Sequence, residues 1–156
     1  MTAYLGAPCT TDHATAIIVG ETGILFVGPS GAGKSAMAFA CLSSAQRLGW
    51  NAALIADDRT CLETRSGRCL ASCPEPIRSL IELRGGGIAQ YRRVPRGIIH
   101  LVVAPGPASA DSRLPESNEI FPYDGAELPL QRLWHDGAVD PLSALRALRP
   151  DCFSGI

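Results

Sequence analysis

The feature that most constrains this chain is residues 28–35, which follow the pattern G-x-x-x-x-G-K-S. An apolar run at residues 24–27 leads into the pattern, and residues 36–42, which favour helix and are mostly apolar, follow it. In a strand–loop–helix unit of this kind, the glycines let backbone N–H groups turn inward around phosphate oxygens at the positive end of the helix dipole. The pattern therefore predicts a loop that binds nucleotide phosphates. A glycine turn that only caps a helix is the alternative.

Two side chains of the pattern add charge and metal chemistry to the backbone. Lys34 is expected to neutralise charge on the terminal phosphates, and the Ser35 hydroxyl is expected to be a ligand of Mg²⁺. ATP and Mg²⁺ are therefore the predicted cofactors. The residues assigned to the phosphate site are Gly28, Pro29, Ser30, Gly31, Ala32, Gly33, Lys34 and Ser35.

The apolar pattern around the loop predicts a parallel α/β unit. Residues 14–19 and 24–27 have the composition of two strands in a hairpin, joined by a turn at residues 20–23. The helix after the loop is expected to end near Gly49, and residues 52–56 are expected to form a buried strand. Strand, loop, helix and strand in this order are typical of α/β folds.

The rest of the chain predicts shorter elements. Strands are expected at residues 60–64, 69–72, 79–83 and 98–103, an irregular stretch at 104–129, and a short helix at 141–148 with Pro141 in its first turn. No shift of composition marks a boundary. Residues 1–156 are therefore predicted to form one domain.

Composition and charge argue against several classes of partner. The net charge is −1 and 19% of the residues are charged, so no nucleic acid partner is expected. The chain has no leader pattern and no apolar run long enough to span a bilayer, which predicts a soluble, cytoplasmic protein without a membrane partner. The six cysteines lack a C-x-x-C pair or zinc-finger spacing and are predicted to be reduced, mostly as small core residues.

Two further segments place charged residues at strand ends. Asp57 and Asp58 close the strand at residues 52–56, where one carboxylate can order a metal shell while the other accepts a hydroxyl proton. An Asp-rich turn is the alternative. Arg84 immediately precedes three glycines at residues 85–87, and Glu82 lies two positions before Arg84. By itself, this segment is compatible with an anion nest, a metal-ligand loop or a flexible turn.

Taken together, these segments resemble the HPr kinase/phosphorylase family. Members of that family follow the phosphate-binding loop with Ala-Asp-Asp, as at Asp57 and Asp58 here, and then with Glu-x-Arg-Gly-x-Gly-Ile, as at residues 82–88. The resemblance extends from His13 to about Pro129 and matches only the catalytic domain of the long members. It implies a single P-loop kinase domain similar to the core of phosphoenolpyruvate carboxykinases, with a mixed sheet and flanking helices. It also implies a homo-oligomer, commonly a hexamer in the family.

The resemblance further implies roles for individual residues. Asp57 would be the proton acceptor, and Glu82 would join Ser35 around Mg²⁺. His13 matches the active-site histidine of the family, and Arg113 matches the arginine of its late Asp-Arg-Leu segment. Without the resemblance, His13 would be an ordinary surface or core residue and Arg113 a solvated loop arginine. The other residues assigned to the nucleotide site in this way are Asp58, Arg84, Gly85 and Gly87.

These implications predict an ATP-dependent serine kinase whose partner is an HPr-like small phosphocarrier protein of a phosphotransferase system. The C-terminal loop that the family uses for dephosphorylation has no clear counterpart in residues 128–140, which puts phosphate-dependent reversal in doubt. A small-molecule P-loop kinase and a non-catalytic nucleotide-binding sensor are the alternatives. The joint presence of His13, Asp57 and Glu82 favours chemistry over sensing.

Overall fold

The computed structural model of the chain describes residues 10–74, 80–83, 86–106, 119–134 and 139–153. The strands within these residues are β1 (Thr10–Asp12), β2 (Ala14–Val19), β3 (Thr22–Val27), β4 (Ala52–Ala56), β5 (Thr60–Arg65), β6 (Arg68–Ser72), β7 (Leu80–Leu83), β8 (Gly87–Gln90), β9 (Arg96–Ile99), β10 (Leu101–Gly106), β11 (Ile120–Tyr123) and β12 (Ala126–Trp134). The helices are α1 (Lys34–Arg47) and α2 (Pro141–Leu148), followed by a 3-10 helix (Pro150–Phe153).

A six-stranded mixed sheet has the strand order β11-β12-β10-β3-β2-β4. Strand β10 is parallel to its neighbours β3 and β12, whereas β2 is antiparallel to both β3 and β4. β3 and β4 therefore run in the same direction with β2 between them. Because parallel strands end at one edge of a sheet, the loop after β3 and the acidic pair after β4 lie at the same edge. The predicted hairpin, the strand at residues 52–56 and the mixed α/β fold are confirmed.

The composition of helix α1 and the residues at its two ends explain why it forms and where it stops. Its sequence is rich in alanine, with few β-branched residues, which favours helix. It begins after Gly33, whose φ of 95° is in the left-handed region that glycine adopts without a Cβ clash. It ends before Gly49, whose N–H donates to the carbonyl oxygen of Gln46 at 3.0 Å. The predicted end near Gly49 is confirmed.

Alternating side chains divide the core between the two faces of the six-stranded sheet. On one face, Ile24 and Phe26 of β3 pack with Met37 of α1 and Leu142 of α2. On the other face, Leu25 belongs to a second buried cluster, which it shares with residues of the second sheet. Each fully buried aliphatic side chain contributes about 1.5–3 kcal/mol to folding, so the two clusters together fix the position of β3.

The second sheet has four antiparallel strands in the order β1-β5-β6-β9 and packs on the face opposite to the helices. Strand β9 lies very close to the start of β3, because a Cβ added to Gly23 would come within 1.9 Å of the carbonyl oxygen of Ile98. A separate hairpin of β7 and β8 packs with β7 against α1. The fold therefore has helices on one side of the larger sheet and the smaller sheet on the other.

Helix α2 begins at Pro141, as predicted, and is capped by Asp140. The Asp140 carboxylate accepts a hydrogen bond from the backbone N–H of Ser143 at 3.0 Å and another from the hydroxyl of Ser44 in α1. Burial alone would raise the pKa of Asp140, but these hydrogen bonds and the nearby Arg47 charge hold the pKa below its usual value. The cap therefore also ties α2 to α1. No helix in the described part of the chain has the length and apolar character needed to cross a membrane.

The region after β9 differs from the sequence-based expectation. The expected irregular stretch at 104–129 contains β11 and the start of β12, while residues 107–118 lie outside the described residues. Pro122 is tolerated in β11 because this edge strand pairs only with β12. The single strand expected at residues 98–103 is two strands that meet at His100. Strands β1 and β8 were not predicted.

One cysteine also departs from the prediction. Cys61 is disulfide-bonded, whereas Cys41, Cys69, Cys73 and Cys152 are free thiols. The prediction of reduced cysteines is wrong at Cys61, because spacing along the chain does not show which thiols folding brings together. Burial raises the pKa of Cys69 to about 11 and also raises the pKa of Cys41 and Cys152, so these three thiols are protonated at neutral pH.

Candidate active site

The loop between β3 and α1 has the backbone that its glycines predict. Gly28, Gly31 and Gly33 have φ values of 141°, 86° and 95°, which residues with a Cβ rarely adopt. The N–H of Ala32 donates to the carbonyl oxygen of Pro29 at 3.1 Å, which closes a turn within the loop. Gly33 caps α1 without a side-chain hydrogen bond. This arrangement suits a helix N-terminus that faces an anion.

Lys34 is the only lysine of the chain and the first residue of α1. Its side chain folds back on the loop, where Nζ donates to the carbonyl oxygens of Gly28 at 2.7 Å and Pro29 at 3.0 Å. The residue is 7% exposed, and among the described residues no carboxylate forms an ion pair with it. A buried cation whose partners are neutral carbonyls is suited to receive an anion.

The carboxylate of Asp57 connects β4 to the start of α1 and to β2. The Ser35 hydroxyl donates to Asp57 Oδ1 at 2.6 Å, and the Thr15 hydroxyl donates to the same oxygen at 2.9 Å. The Thr15 oxygen also accepts from the N–H of Asp58 at 3.4 Å. These bonds fix the end of β4 against the loop between β3 and α1, so the carboxylate and the Ser35 hydroxyl lie side by side.

Asp58 lies in different surroundings from its neighbour. Its φ of 68° turns the chain after β4, and its side chain is 73% exposed. His13 is 82% exposed, and its Nδ1 lies 4.0 Å from Asp58 Oδ1. An exposed pair at this separation contributes little to stability. The structure therefore gives the two adjacent carboxylates separate partners: Ser35 and Thr15 for Asp57, and His13 for Asp58.

The oxygens at this edge of the sheet fit a magnesium ion bound together with phosphate. The Ser35 hydroxyl is a hard oxygen ligand of the kind that Mg²⁺ takes, and Asp57 Oδ1 lies 2.6 Å from it. Within the described ranges, no group of three or more His, Cys, Asp and Glu side chains could hold a metal ion. This is consistent with Mg²⁺ chemistry, because Mg²⁺ keeps several waters and binds through one or two protein ligands plus substrate phosphates.

The structure brings together only part of the predicted site. The loop, Lys34, Ser35 and Asp57 converge, with Asp58 and His13 beside them. Glu82 lies in β7 and Gly87 begins β8, and the side chain of Glu82 lies outside the described part of the structure. The predicted residues Arg84, Gly85 and Arg113 lie outside the described residues.

Thr15 is a site residue that the sequence reasoning missed. It is fully buried in β2 and contacts the carboxylate of Asp57, 42 positions away along the chain. A signal was present, because Thr15 interrupts the apolar strand ATAIIV with a hydroxyl. A buried hydroxyl needs a hydrogen-bond partner, but the sequence alone could not say which one.

Comparison with known proteins assigns the chain to a family. The model of the HPr Serine kinase C-terminal domain matches residues 6–95, a range that includes the phosphate-binding loop and the acidic pair. The chain belongs to this family. The family that the motifs suggested is therefore confirmed, and the converging side chains described above lie inside the matched range.

Curated members of the HPr kinase/phosphorylase group resemble the same part of the chain. The protein of that name from Bordetella pertussis is 36% identical over 95 residues, which cover 58% of this chain and 29% of the relative. The protein of that name from Geobacillus sp. is 39% identical over 85 residues, which cover 53% of this chain and 25% of the relative. The chain thus spans less than a third of the length of these relatives.

A solved structure extends the likeness of the fold to nearly the whole chain. The Hpr(Ser) kinase/phosphatase from Coxiella burnetii superposes with a TM-score of 0.69 at 21% identity, covering 94% of this chain and 95% of that chain. The mixed α/β architecture with two helices is therefore the architecture of that structure.

Proposed function

We propose that this chain transfers the γ-phosphoryl group of ATP to a serine hydroxyl of an HPr-like phosphocarrier protein. The observation that carries the proposal is the convergence of a buried cation, a hydroxyl and a carboxylate at one sheet edge, with Ser35 Oγ 2.6 Å from Asp57 Oδ1 beside the loop that holds Lys34. Membership of the HPr serine kinase family and the names of its relatives support the kinase class and the partner.

The phosphates would be held by the backbone N–H groups of the loop and by Lys34. Phosphoryl transfer needs little covalent help from a protein, and catalysis consists mainly of positioning and of offsetting charge on the transferring group. Lys34 suits this task because its charge is buried and, among the described residues, its hydrogen-bond partners are carbonyl oxygens. Bound at Ser35 and Glu82, Mg²⁺ would offset further charge on the phosphate oxygens.

Asp57 would accept the proton of the attacking serine. As the serine oxygen bonds to the γ-phosphorus, the bond from that phosphorus to the bridging oxygen breaks, ADP leaves with the bond electrons, and the hydroxyl proton passes to the carboxylate. The hydrogen bonds from Ser35 and Thr15 would keep that carboxylate in one orientation. His13 and Arg113 would support transfer, and the nucleotide would also contact Asp58, Arg84, Gly85 and Gly87.

The deciding experiment is incubation with γ-labelled ATP, Mg²⁺ and HPr. We expect label on a serine of HPr, and we expect Lys34→Met to remove nearly all of it without changing the circular dichroism spectrum. Arg47→Met is the matched control, because it replaces an exposed cation of the same helix and should leave transfer intact. Full transfer by Lys34→Met would show that the loop takes no part in the reaction.

The single lysine also allows nucleotide binding to be tested separately from transfer. An ATP derivative with a lysine-reactive acyl phosphate should modify Lys34, and excess ATP should protect it. Peptide mapping distinguishes this product from labelling at the N-terminal amine. Protected labelling without transfer to HPr would favour a nucleotide-binding sensor, whereas label on a small metabolite would favour a small-molecule kinase.

The remaining expectations about the whole protein belong to the same proposal. Residues 1–156 would act as one domain in a homo-oligomer in the cytoplasm, where ATP and the phosphocarrier are present. Sedimentation analysis of the purified chain, with and without ATP, measures the assembly directly.

A further inference from the structure

A cavity of about 600 Å³ lies at the end of the sheet opposite to the loop between β3 and α1. Thr22, the first residue of β3, lines it, whereas Gly28 follows the last residue of that strand. Six steps along an extended strand, at about 3.3 Å each, place the two ends roughly 20 Å apart. None of the residues that line this cavity belongs to the candidate active site. The cavity therefore needs an explanation of its own.

The cavity combines an apolar wall with charges of both signs. The apolar wall consists of Cys69, Ile98, Ile99, Leu128, Pro129 and Cys152. Arg68 supplies a cation, and Glu21 and Asp151 supply carboxylates. Arg68 and Glu21 line the same space, yet neither forms an ion pair with any residue in the described part of the chain. All three charged residues are exposed, so groups of both signs are open to a ligand at this cavity.

His100 adds a hydrogen-bond donor beside Arg68. Its Nδ1 accepts the N–H of Gly23 at 3.0 Å. Burial and the Arg68 charge lower the pKa of His100, which keeps the imidazole neutral at physiological pH. Because Nδ1 accepts a hydrogen bond in the neutral ring, the proton is on Nε2.

The wall around these groups is built before any ligand arrives. The backbone N–H of His100 donates to the carbonyl oxygen of Gly23 at 2.8 Å, so these two residues are joined in both directions. The Thr22 hydroxyl donates to the carbonyl oxygen of Cys152 at 2.6 Å, which ties the 3-10 helix to β3. A preformed apolar cavity with a few fixed polar groups is typical of a small-molecule site.

We propose that this cavity binds a small zwitterion, an α-amino acid with an apolar side chain. Its carboxylate binds Arg68 and the His100 donor, its ammonium binds Glu21, and its side chain packs on the apolar wall. Because Glu21 and Arg68 line the same cavity, a ligand that carries both charges can pair with both side chains, whereas a simple anion or a simple cation can pair with only one of them. This site is independent of phosphoryl transfer.

The test titrates the full chain with L-leucine and follows the heat of binding and the melting temperature. We expect saturable binding of leucine and much weaker binding of leucinamide, which lacks the carboxylate, and of 4-methylpentanoate, which lacks the ammonium. Arg68→Gln and Glu21→Gln should each weaken leucine binding by about tenfold or more, since a hydrogen bond to a charged group contributes about 1.5–3 kcal/mol. Glu127→Gln, an exposed change in β12 outside the cavity, is the matched control.

Several outcomes would overturn the proposal. One is the absence of binding by leucine, isoleucine, valine, methionine and phenylalanine at millimolar concentration. Another is leucine binding that both cavity variants leave unchanged, or that ATP displaces by competition, because either would place the amino acid elsewhere. Binding of 4-methylpentanoate as tight as that of leucine would show that the cavity recognises only the carboxylate. The two ligand analogues test the unmodified chain, so this comparison stands even if a variant fails to fold.

Discussion

Asp57 and Asp58 are adjacent in the chain but have different surroundings. Asp57 accepts hydrogen bonds from two hydroxyls, whereas Asp58 is exposed beside His13. Asp58 has a φ of 68° and turns the chain after β4, so the two carboxylates have different surroundings and are not expected to perform the same task. The hydrogen bonds of Asp57 place it next to the loop, where the proposed mechanism puts the transferring group.

The first prediction separates these two carboxylates by mutation. Asp57→Asn should lower kcat by about 10²–10⁴-fold with little change in ATP affinity, because general-base catalysis contributes in that range. Asp58→Asn should lower kcat much less. Single-turnover transfer to HPr and equilibrium ATP binding measure the two effects. If Asp58→Asn removed activity and Asp57→Asn kept it, the roles would be reversed; full activity of both would make the pair only a turn.

The second prediction concerns Thr15, which positions Asp57 without touching the nucleotide in the proposed mechanism. Thr15→Val keeps the shape but removes the hydrogen bond to Asp57 Oδ1. We expect kcat to fall by about tenfold with ATP affinity kept, since small misplacements of a catalytic group are costly. Thr15→Ser should restore most of the rate because it restores the hydroxyl. Equal rates for valine and serine would limit Thr15 to a structural role.

The sequence could predict Lys34, Ser35 and Asp57 because a local pattern or a strand end marks each of them. Thr15 and His100 were not predicted. Their partners lie 42 and 77 positions away along the chain, and only the pairing of strands brings them together. The same limit applies to Cys61, whose disulfide depends on tertiary proximity.

At the scale of secondary-structure elements, the cap of α2 gives a third prediction with a defined pH dependence. Asp140→Ala removes the acceptor for Ser143 and Ser44 and should lower the free energy of unfolding by about 1–2 kcal/mol. The folded state lowers the pKa of Asp140. Its charge therefore contributes stability that is complete above the ordinary carboxyl pKa and is lost as pH falls through the folded value.

Urea unfolding of the wild type and of Asp140→Ala, from neutral pH down to acid, measures this effect. The difference in unfolding free energy should shrink toward low pH. Asp140→Asn is the control, because asparagine is also a good N-cap and should cost less than alanine at neutral pH. A difference between wild type and alanine that is constant with pH would show that the charge of Asp140 does not stabilise the cap.

The fourth prediction concerns the close approach of β3 and β9. Gly23→Ala would place a Cβ 1.9 Å from the backbone oxygen of Ile98, so one strand must move. We expect a loss of about 2 kcal/mol or more in unfolding free energy. Gly106→Ala in β10 is the matched control, since a Cβ there meets no atom within 4 Å, and should change stability by less than about 0.5 kcal/mol. Equal urea midpoints for the two variants would contradict this packing.

Most elements that hold the site could be predicted, because the hairpin, α1 and β4 have strong local patterns. The elements around residues 104–129 could not. In the sequence, Pro122 and Pro129 argue against strands. An edge strand tolerates Pro122, and the segment around Pro129 forms a strand because β12 pairs with both β10 and β11. Strand order is likewise a property of packing: nothing local to β2 shows that it lies between β3 and β4.

At the scale of the whole molecule, the fifth prediction concerns the direction of the reaction. Residues 126–134 form the regular strand β12 of the six-stranded sheet. Because the sequence of residues 128–140 has no clear counterpart of the family's dephosphorylation loop, we expect forward transfer to exceed phosphate-dependent reversal by at least tenfold in rate. Incubation of serine-phosphorylated HPr with inorganic phosphate measures the reversal. Comparable rates in both directions would show that this difference in sequence does not affect the reaction.

The bonds between Lys34 and its own loop have a consequence for the speed and selectivity of nucleotide capture. A lysine side chain that becomes ordered gives up about 1.5–2 kcal/mol of rotamer freedom. Here the carbonyl oxygens of Gly28 and Pro29 already restrain the ammonium in the folded chain, so that loss accompanies folding rather than ligand capture. In the proposed mechanism, an arriving triphosphate would meet a charge that is already in place, which would favour a fast encounter and leave little room for the loop to adapt to differently shaped anions.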